Sequence, residues 1–235
     1  MIGLRKTTEI KIFINSGSSS FSFRRSRGHH VYQKNGYFCG PRQSTPNPST
    51  MEKREKILDA ALGLIIRQGL QHTPMSLIAE KAEVGMGSIY KRFKNKEDIV
   101  NGIYVKIKAE EAAMIFVNYD KNNGIRETFM DIYGRMIDYF LQNPLKFNFI
   151  SQYAFSPVIE KKTQKKAMSG FHPFDEMYAR GLEQGFFKDL QAPHLTYFVF
   201  GSVCYWLKCA SELQITVDNK LKEQFLQMAW DSVKR

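Results

Sequence analysis

An all-α fold is what this sequence predicts, and three observations carry the prediction. From residue 51 onward apolar residues recur at i, i+3, i+4 and i+7, the spacing of one buried helical face. Beyond residue 50 nothing alternates convincingly as a strand. Proline, glycine and Asn-Pro punctuation divides the chain into ten helix-length pieces.

Taken in order, the first helix carries Leu58, Ala61, Leu62 and Ile65 on one face and closes at Gly69, a residue suited to the left-handed C-terminal cap. Thr73-Pro74 opens the second, with Thr73 as expected N-cap and Pro74 at the first helical position. Leu77, Ile78 and Ala82 form its apolar side. Glu83-Val84-Gly85 breaks the chain before a short third helix over 87–93. Asn95 is the expected N-cap of a long fourth helix over 96–116, with Ile99, Ile103 and Ile107 along it. Six further helices are expected at 122–141, 144–155, 157–168, 173–184, 192–211 and 217–233. The helix over 192–211 is apolar on most sides, and a helix of that kind is buried or paired with another chain. The last helix has two apolar stripes, Val217/Leu221/Phe225/Met228 and Leu226/Trp230/Val233. One stripe can face the chain's own core, and the other is left for a partner, so these two helices predict a homodimer.

The first 50 residues differ in kind. Net charge over the 235 residues is +11, yet residues 1–50 contribute +7 of it, with eight Lys/Arg against Glu9 alone. The remainder carries only +4, so the basic character of the whole is no general nucleic-acid signal. Residues 15–50 are rich in Ser, Gly, Arg and Pro and hold too little apolar surface to offset the entropy of ordering. Residues 1–50 are therefore expected to be a disordered leader, from an upstream start codon or an appended sequence. A basic nucleic-acid-binding arm and a transit peptide are the alternatives.

Several functions are excluded. No run of about 18 apolar residues is present to span a membrane as a helix. Ile10–Ile14 is too short and polar for a signal-peptide core. Cys39, Cys204 and Cys209 are too few and wrongly spaced for a disulfide framework or a zinc site, which fits a reducing cytoplasm. Gly85-Met86-Gly87 follows a helix and lacks the third glycine of a phosphate-binding loop, and no nucleophile motif occurs. His29 and His30 fall in the leader, while His72, His172 and His194 are isolated. No catalysis, metal or cofactor is expected.

Chemistry concentrates in residues 74–93, whose two short helices and tight turn have helix-turn-helix dimensions. At 100° per residue Ile89 and Phe93 share one face of the third helix, with Met86 beside them. Gly87, Ser88 and Lys91 point the other way, with Lys94 near them and Tyr90 on the flank. Small residues let a helix approach base edges, while Lys and the Tyr hydroxyl reach phosphates. A solvated basic turn in a bundle is the plainer alternative.

The run Thr73-Pro74-Met75-Ser76-Leu77-Ile78-Ala79-Glu80-Lys81-Ala82-Glu83-Val84-Gly85-Met86-Gly87-Ser88-Ile89-Tyr90-Lys91-Arg92-Phe93-Lys94-Asn95-Lys96-Glu97 strongly resembles the N-terminal domain of TetR-family transcriptional regulators over about residues 52–100. One departure is Glu83, where the family's turn usually has glycine; a non-glycine residue there costs about 1–2 kcal/mol. After the leader at 1–50, the resemblance implies a DNA-binding domain at 51–98 and a larger ligand-binding and dimerisation domain at 99–235. It implies a homodimer whose recognition helices enter successive major grooves of a palindromic double-stranded DNA operator. Thr73, Ser76, Tyr90, Lys91 and Lys96 would contact phosphates, and Met86, Gly87 and Ser88 would lie against base edges. Residues 85–100 carry +2 per subunit, so binding is expected to weaken with salt.

The resemblance further implies a repressor released by a small molecule. The C-terminal aromatic wealth, including Phe147, Tyr153, Phe174, Met177, Tyr178 and Trp206, offers lining for a cavity, although each residue also fits plain core packing. With no dense anionic cage nearby, the expected effector is neutral and lipophilic or aromatic. A helical interaction protein that keeps the fold without binding DNA is the alternative function.

Overall fold

A computed structural model describes residues 48–235, with side chains from residue 51. The expected leader otherwise lies outside the described residues. The first helix begins at Pro48, three residues ahead of the expected boundary, because proline's fixed φ and missing N–H suit a helix start.

Among the described residues ten α-helices follow one another: α1 (Pro48–Gln68), α2 (Met75–Lys81), α3 (Met86–Tyr90), α4 (Lys96–Ile115), α5 (Ile125–Gln142), α6 (Pro144–Tyr153), α7 (Lys161–Met168), α8 (His172–Glu183), α9 (Ala192–Glu212) and α10 (Asn219–Val233). A 3-10 turn, Ser169–Phe171, joins α7 to α8. Among the described residues the one β feature is an isolated bridge between Phe187 and Lys234, and no helix is long and apolar enough to cross a membrane.

Two apolar clusters organise these helices. The first gathers Ile57, Leu58, Ala61 and Ile65 of α1, Ile78 of α2, Ile89 and Phe93 at α3, and Ile99, Ile103 and Ile107 of α4. Phe149, Ile150, Ile159 and Ala167 also join it, so α1 packs directly on α6 and α4 on α7. The second surrounds α5 with Phe129, Tyr133 and Phe140, and takes in Met177 and Tyr178 of α8, Val199 and Val203 of α9, and Trp230 of α10. The boundary expected after residue 98 falls inside α4, which runs unbroken through both clusters.

Polar side chains brace the elements of the first cluster against one another. Buried Asn101 donates to the carbonyls of Glu97 and Val158, each at 2.8 Å, and accepts from the Glu160 amide at 3.0 Å. Its hydrogen bonds tie α4 to the α6–α7 connection. Lys106 of α4 reaches Glu55 at 2.6 Å and Asp59 at 2.7 Å on α1. Burial pulls the Lys106 ammonium down, but the two carboxylates outweigh it and leave its pKa above the ordinary lysine value.

The helix ends explain where pattern reading was right and where it slipped. Gly69 has φ 81° and donates to Ile65 O, as a left-handed cap does. Asn95 caps α4 by accepting from Asp98 N at 2.8 Å. Thr73, by contrast, is not the cap of α2: its hydroxyl turns back to Gly69 O at 2.8 Å, and Pro74 takes the N-cap position in extended conformation. Helix α3 ends at Tyr90 rather than at 93, and α5 begins three residues late because Asp120 holds Asn122 in a turn. Pro157 does not start α7. The Ser156–Glu160 stretch stays irregular, because Ile159 must be buried and Asn101 takes up its backbone groups. The last helix starts at Asn219 with Asp218 as its cap.

Candidate functional site

The α2–turn–α3 unit is set by burial on one side. Ile78, Ala79, Ala82, Ile89 and Phe93 are buried against α1 and α4, and the Arg54 guanidinium of α1 lies 5.3 Å from the centre of the Phe93 ring. The turn itself is a Schellman motif: Glu83 N–H donates to Glu80 O at 3.1 Å and Val84 N–H to Ala79 O at 3.0 Å. This geometry needs a left-handed residue, and Glu83 supplies it at φ 55°.

With Ile89 and Phe93 locked inward, the other face of α3 is turned out. Met86, Gly87, Tyr90 and Lys91 are exposed and Ser88 is half-buried, with Ser76 of α2 and Lys94 exposed beside them. Tyr90 is 56% exposed, which no packing role requires of an aromatic ring. Gly87 is more telling still. A Cβ placed on it meets nothing within 4 Å, so no neighbour in the chain demands glycine. Its backbone, in the first turn of a helix, is ordinary enough for alanine, which forms helix better by about 0.8–1 kcal/mol in interior positions. Glycine here suits a surface that must come close to something outside the chain.

Two expected contact residues sit differently. Thr73 is fully buried with its hydroxyl engaged by Gly69 O. Lys96 extends its ammonium to Leu70 O at 2.6 Å, bracing the α1–α2 connection against the start of α4. Arg92 is half-buried and donates to Ser88 O at 2.9 Å, stiffening α3 from behind.

A cavity of about 130 Å³ lies among α4, α5, α6, α7, α8 and α9. Tyr104, Met136, Ile150, Phe155, Met168, Phe171, Phe174 and Phe200 give it apolar walls. Of the six residues expected as lining, Phe174 alone reaches it. Phe147 packs on Phe140, Tyr153 on Phe149, and Trp206 stacks on Phe225 with ring centres 4.1 Å apart. Met177 and Tyr178 are wholly buried, and the Tyr178 hydroxyl pairs with that of Tyr133 at 2.9 Å. What sequence reading missed is Lys108 and Glu111, both buried and both lining the cavity. The signal was available: 104, 108, 111 and 115 fall on one helical face whose ends, Tyr104 and Ile115, are buried.

The family model for bacterial regulatory proteins of the tetR family matches residues 57–103, and that for a tetracyclin repressor-like C-terminal domain matches 125–234. An HTH-type transcriptional regulator of Haemophilus influenzae is 30% identical over 104 residues, covering 44% of this chain and 55% of that one. The HTH-type regulator YhgD of Bacillus subtilis is 38% identical over 69 residues, covering 27% of this chain and 36% of the other. The chain thus spans about a third to a half of the length of these relatives. In structure, the transcriptional regulator FadR of Bacillus subtilis, solved in complex with stearoyl-CoA, superposes with a TM-score of 0.64 at 18% identity, covering 74% of this chain and 96% of its own.

Proposed function

Since the chain belongs to the TetR family of bacterial regulatory proteins, we propose that it is a DNA-binding transcriptional regulator, a repressor that leaves a palindromic operator when a small molecule fills the α4–α9 cavity. The outer face of α3 carries this reading. It is small at Gly87 and Ser88, basic at Lys91 and Lys94, and held rigidly outward by the burial of Ile89 and Phe93.

In this account Gly87, Ser88 and Met86 lie against base edges in the major groove, and Ser76, Tyr90 and Lys91 position the helix on phosphates. Thr73 and Lys96 act from behind, the first by closing the turn before α2 and the second by fixing α1–α2 to α4. The DNA-reading part is 51–98, the remainder binds effector and partner, and the protein works in the cytoplasm, where operators are.

Dimerisation goes through α9 and α10. Leu226, Trp230 and Val233 face the chain's own core, while Phe198, Tyr205 and Met228 stay well exposed, Tyr205 at 73%. Exposed aromatic and Met side chains on adjacent helices are the composition of an interface core. Release then works by population shift, with the ligand favouring a dimer whose two α3 helices are spaced wrongly for the operator. The apolar cavity walls, and stearoyl-CoA in the Bacillus subtilis FadR structure, support a lipophilic effector.

The test is a salt-titrated binding assay on the DNA flanking the protein's own gene. The wild type should bind with affinity falling as salt rises, and Tyr90→Phe with Lys91→Ala should weaken binding across all sequences. A double variant that binds like the wild type would refute this docking.

A further inference from the structure

Packing explains the apolar walls of the cavity but not the charges inside it. Glu111 has no exposed surface and Lys108 is 4% exposed, one helical turn apart on α4. The Lys108 ammonium reaches Glu111 Oε2 at 2.8 Å. It also lies 4.0 Å from the centre of the Phe171 ring and 5.5 Å from that of Phe200, so its charge is met by a carboxylate and two aromatic faces. The carboxylate is served on one side alone: Glu111 Oε1 is buried without a hydrogen-bond partner. A buried acceptor left open costs stability, and a buried ion pair contributes little over well-packed apolar residues. Folding gives no reason for this arrangement, whereas a guest in the cavity does.

The charges also restrict that guest. The pair is neutral as a unit. A cationic guest drawn to Glu111 meets Lys108 within a few ångströms, and an anionic guest meets Glu111, both at low dielectric where such repulsion is strong. A neutral molecule avoids both. Burial raises the Glu111 pKa and the Lys108 ammonium opposes that rise; as the carboxylate paired with Lys108, Oε1 accepts and does not donate, so the guest must donate.

We infer that Glu111 Oε1 is the recognition point for a neutral ligand with an apolar body and one O–H or N–H donor, and that Lys108 aims the carboxylate at it. The inference rests on the effector-site reading above and narrows it to a chemical class. A site built around a ligand hydroxyl rejects the analogue that lacks one, because its own buried polar group is then left unpaired.

The experiment is calorimetric titration of the full chain, without DNA, with 4-propylphenol, its methyl ether 4-propylanisole, and the cation 4-propylbenzylammonium. The phenol should bind at least about tenfold tighter than the ether, since the lost hydrogen bond goes to a charged group, and tighter than the cation. Lys108→Met with Glu111→Leu, which replaces the pair by apolar volume, should bring phenol and ether to equal affinity. Glu111→Gln, which keeps an oxygen for Lys108 and puts an amide donor where Oε1 was, should also remove the preference. Equal binding of phenol and ether to the wild type, binding of none of the three, or a preference that survives both variants would overturn the inference. Operator affinity of the same protein is titrated separately. A phenol that binds with the expected preference but leaves operator affinity unchanged would uphold the site and refute release by effector.

Discussion

Replacing Gly87 by alanine separates what α3 does for the fold from what it does for DNA. The added methyl meets nothing within 4 Å, so it brings no clash. Glycine within a helix costs about 0.5–1 kcal/mol relative to alanine, and the first turn of the five-residue α3 should feel the lower part of that range. At about 2–4 °C per kcal/mol for a chain of this size, Gly87→Ala should raise the melting temperature by about 1–3 °C. Operator affinity should move the opposite way. A methyl facing a base edge at van der Waals distance forces the helix outward and weakens several hydrogen bonds together, in both half-sites. A loss of about tenfold or more, 1.4 kcal/mol or above, is expected. Differential scanning fluorimetry gives the first quantity and fluorescence anisotropy on operator DNA the second. A variant that is more stable and binds DNA as well as the wild type would refute the placement of the α3 N-terminus against bases.

Three other variants probe the turn, the dimer face and the α1–α4 ion pairs. Glu83→Gly relieves a side chain held at φ 55° and should stabilise the protein by about 1 kcal/mol, read as a higher denaturant midpoint. Tyr205→Lys together with Met228→Lys places charge on the exposed α9–α10 face; sedimentation should show monomers, and operator affinity should fall with the dimer. Lys106 has its pKa raised in the folded state, so its contribution is complete below the unfolded lysine value of about 10.4 and is lost as pH rises through the folded one. The stability difference between wild type and Lys106→Met should therefore be constant at neutral pH and shrink above pH of about 10.5, as measured by urea unfolding.

Much of the fold was legible because helix ends have local chemistry. Gly69, Asn95 and the proline at 144 mark boundaries with side chains or φ angles that act within one turn. Thr73 was misread because its hydroxyl had two backbone targets within reach, and the carbonyl of Gly69 won over the start of α2. The outer face of α3 was legible since burial of Ile89 and Phe93 fixes the opposite side by geometry alone. The cavity was not legible. A phenylalanine that fills a core and one that lines a void have the same composition and period, and which is which depends on how α6, α8 and α9 cross, far apart in sequence. Lys108 and Glu111 have the i, i+3 spacing of an ordinary surface pair, and the buried ends of their stripe, Tyr104 and Ile115, are what set them apart.

In the proposed complex the outer face of α3 reads DNA in the major groove from each half of a dimer. Methylation protection of guanine N7 on the DNA flanking the gene tests it most directly, since that atom lies in the major groove. Two protected clusters related by a palindrome, centred about one helical turn apart or a multiple of it, and lost with Gly87→Ala, are the predicted result. Absence of protection at low salt, with the dimer confirmed in the same sample, would contradict it.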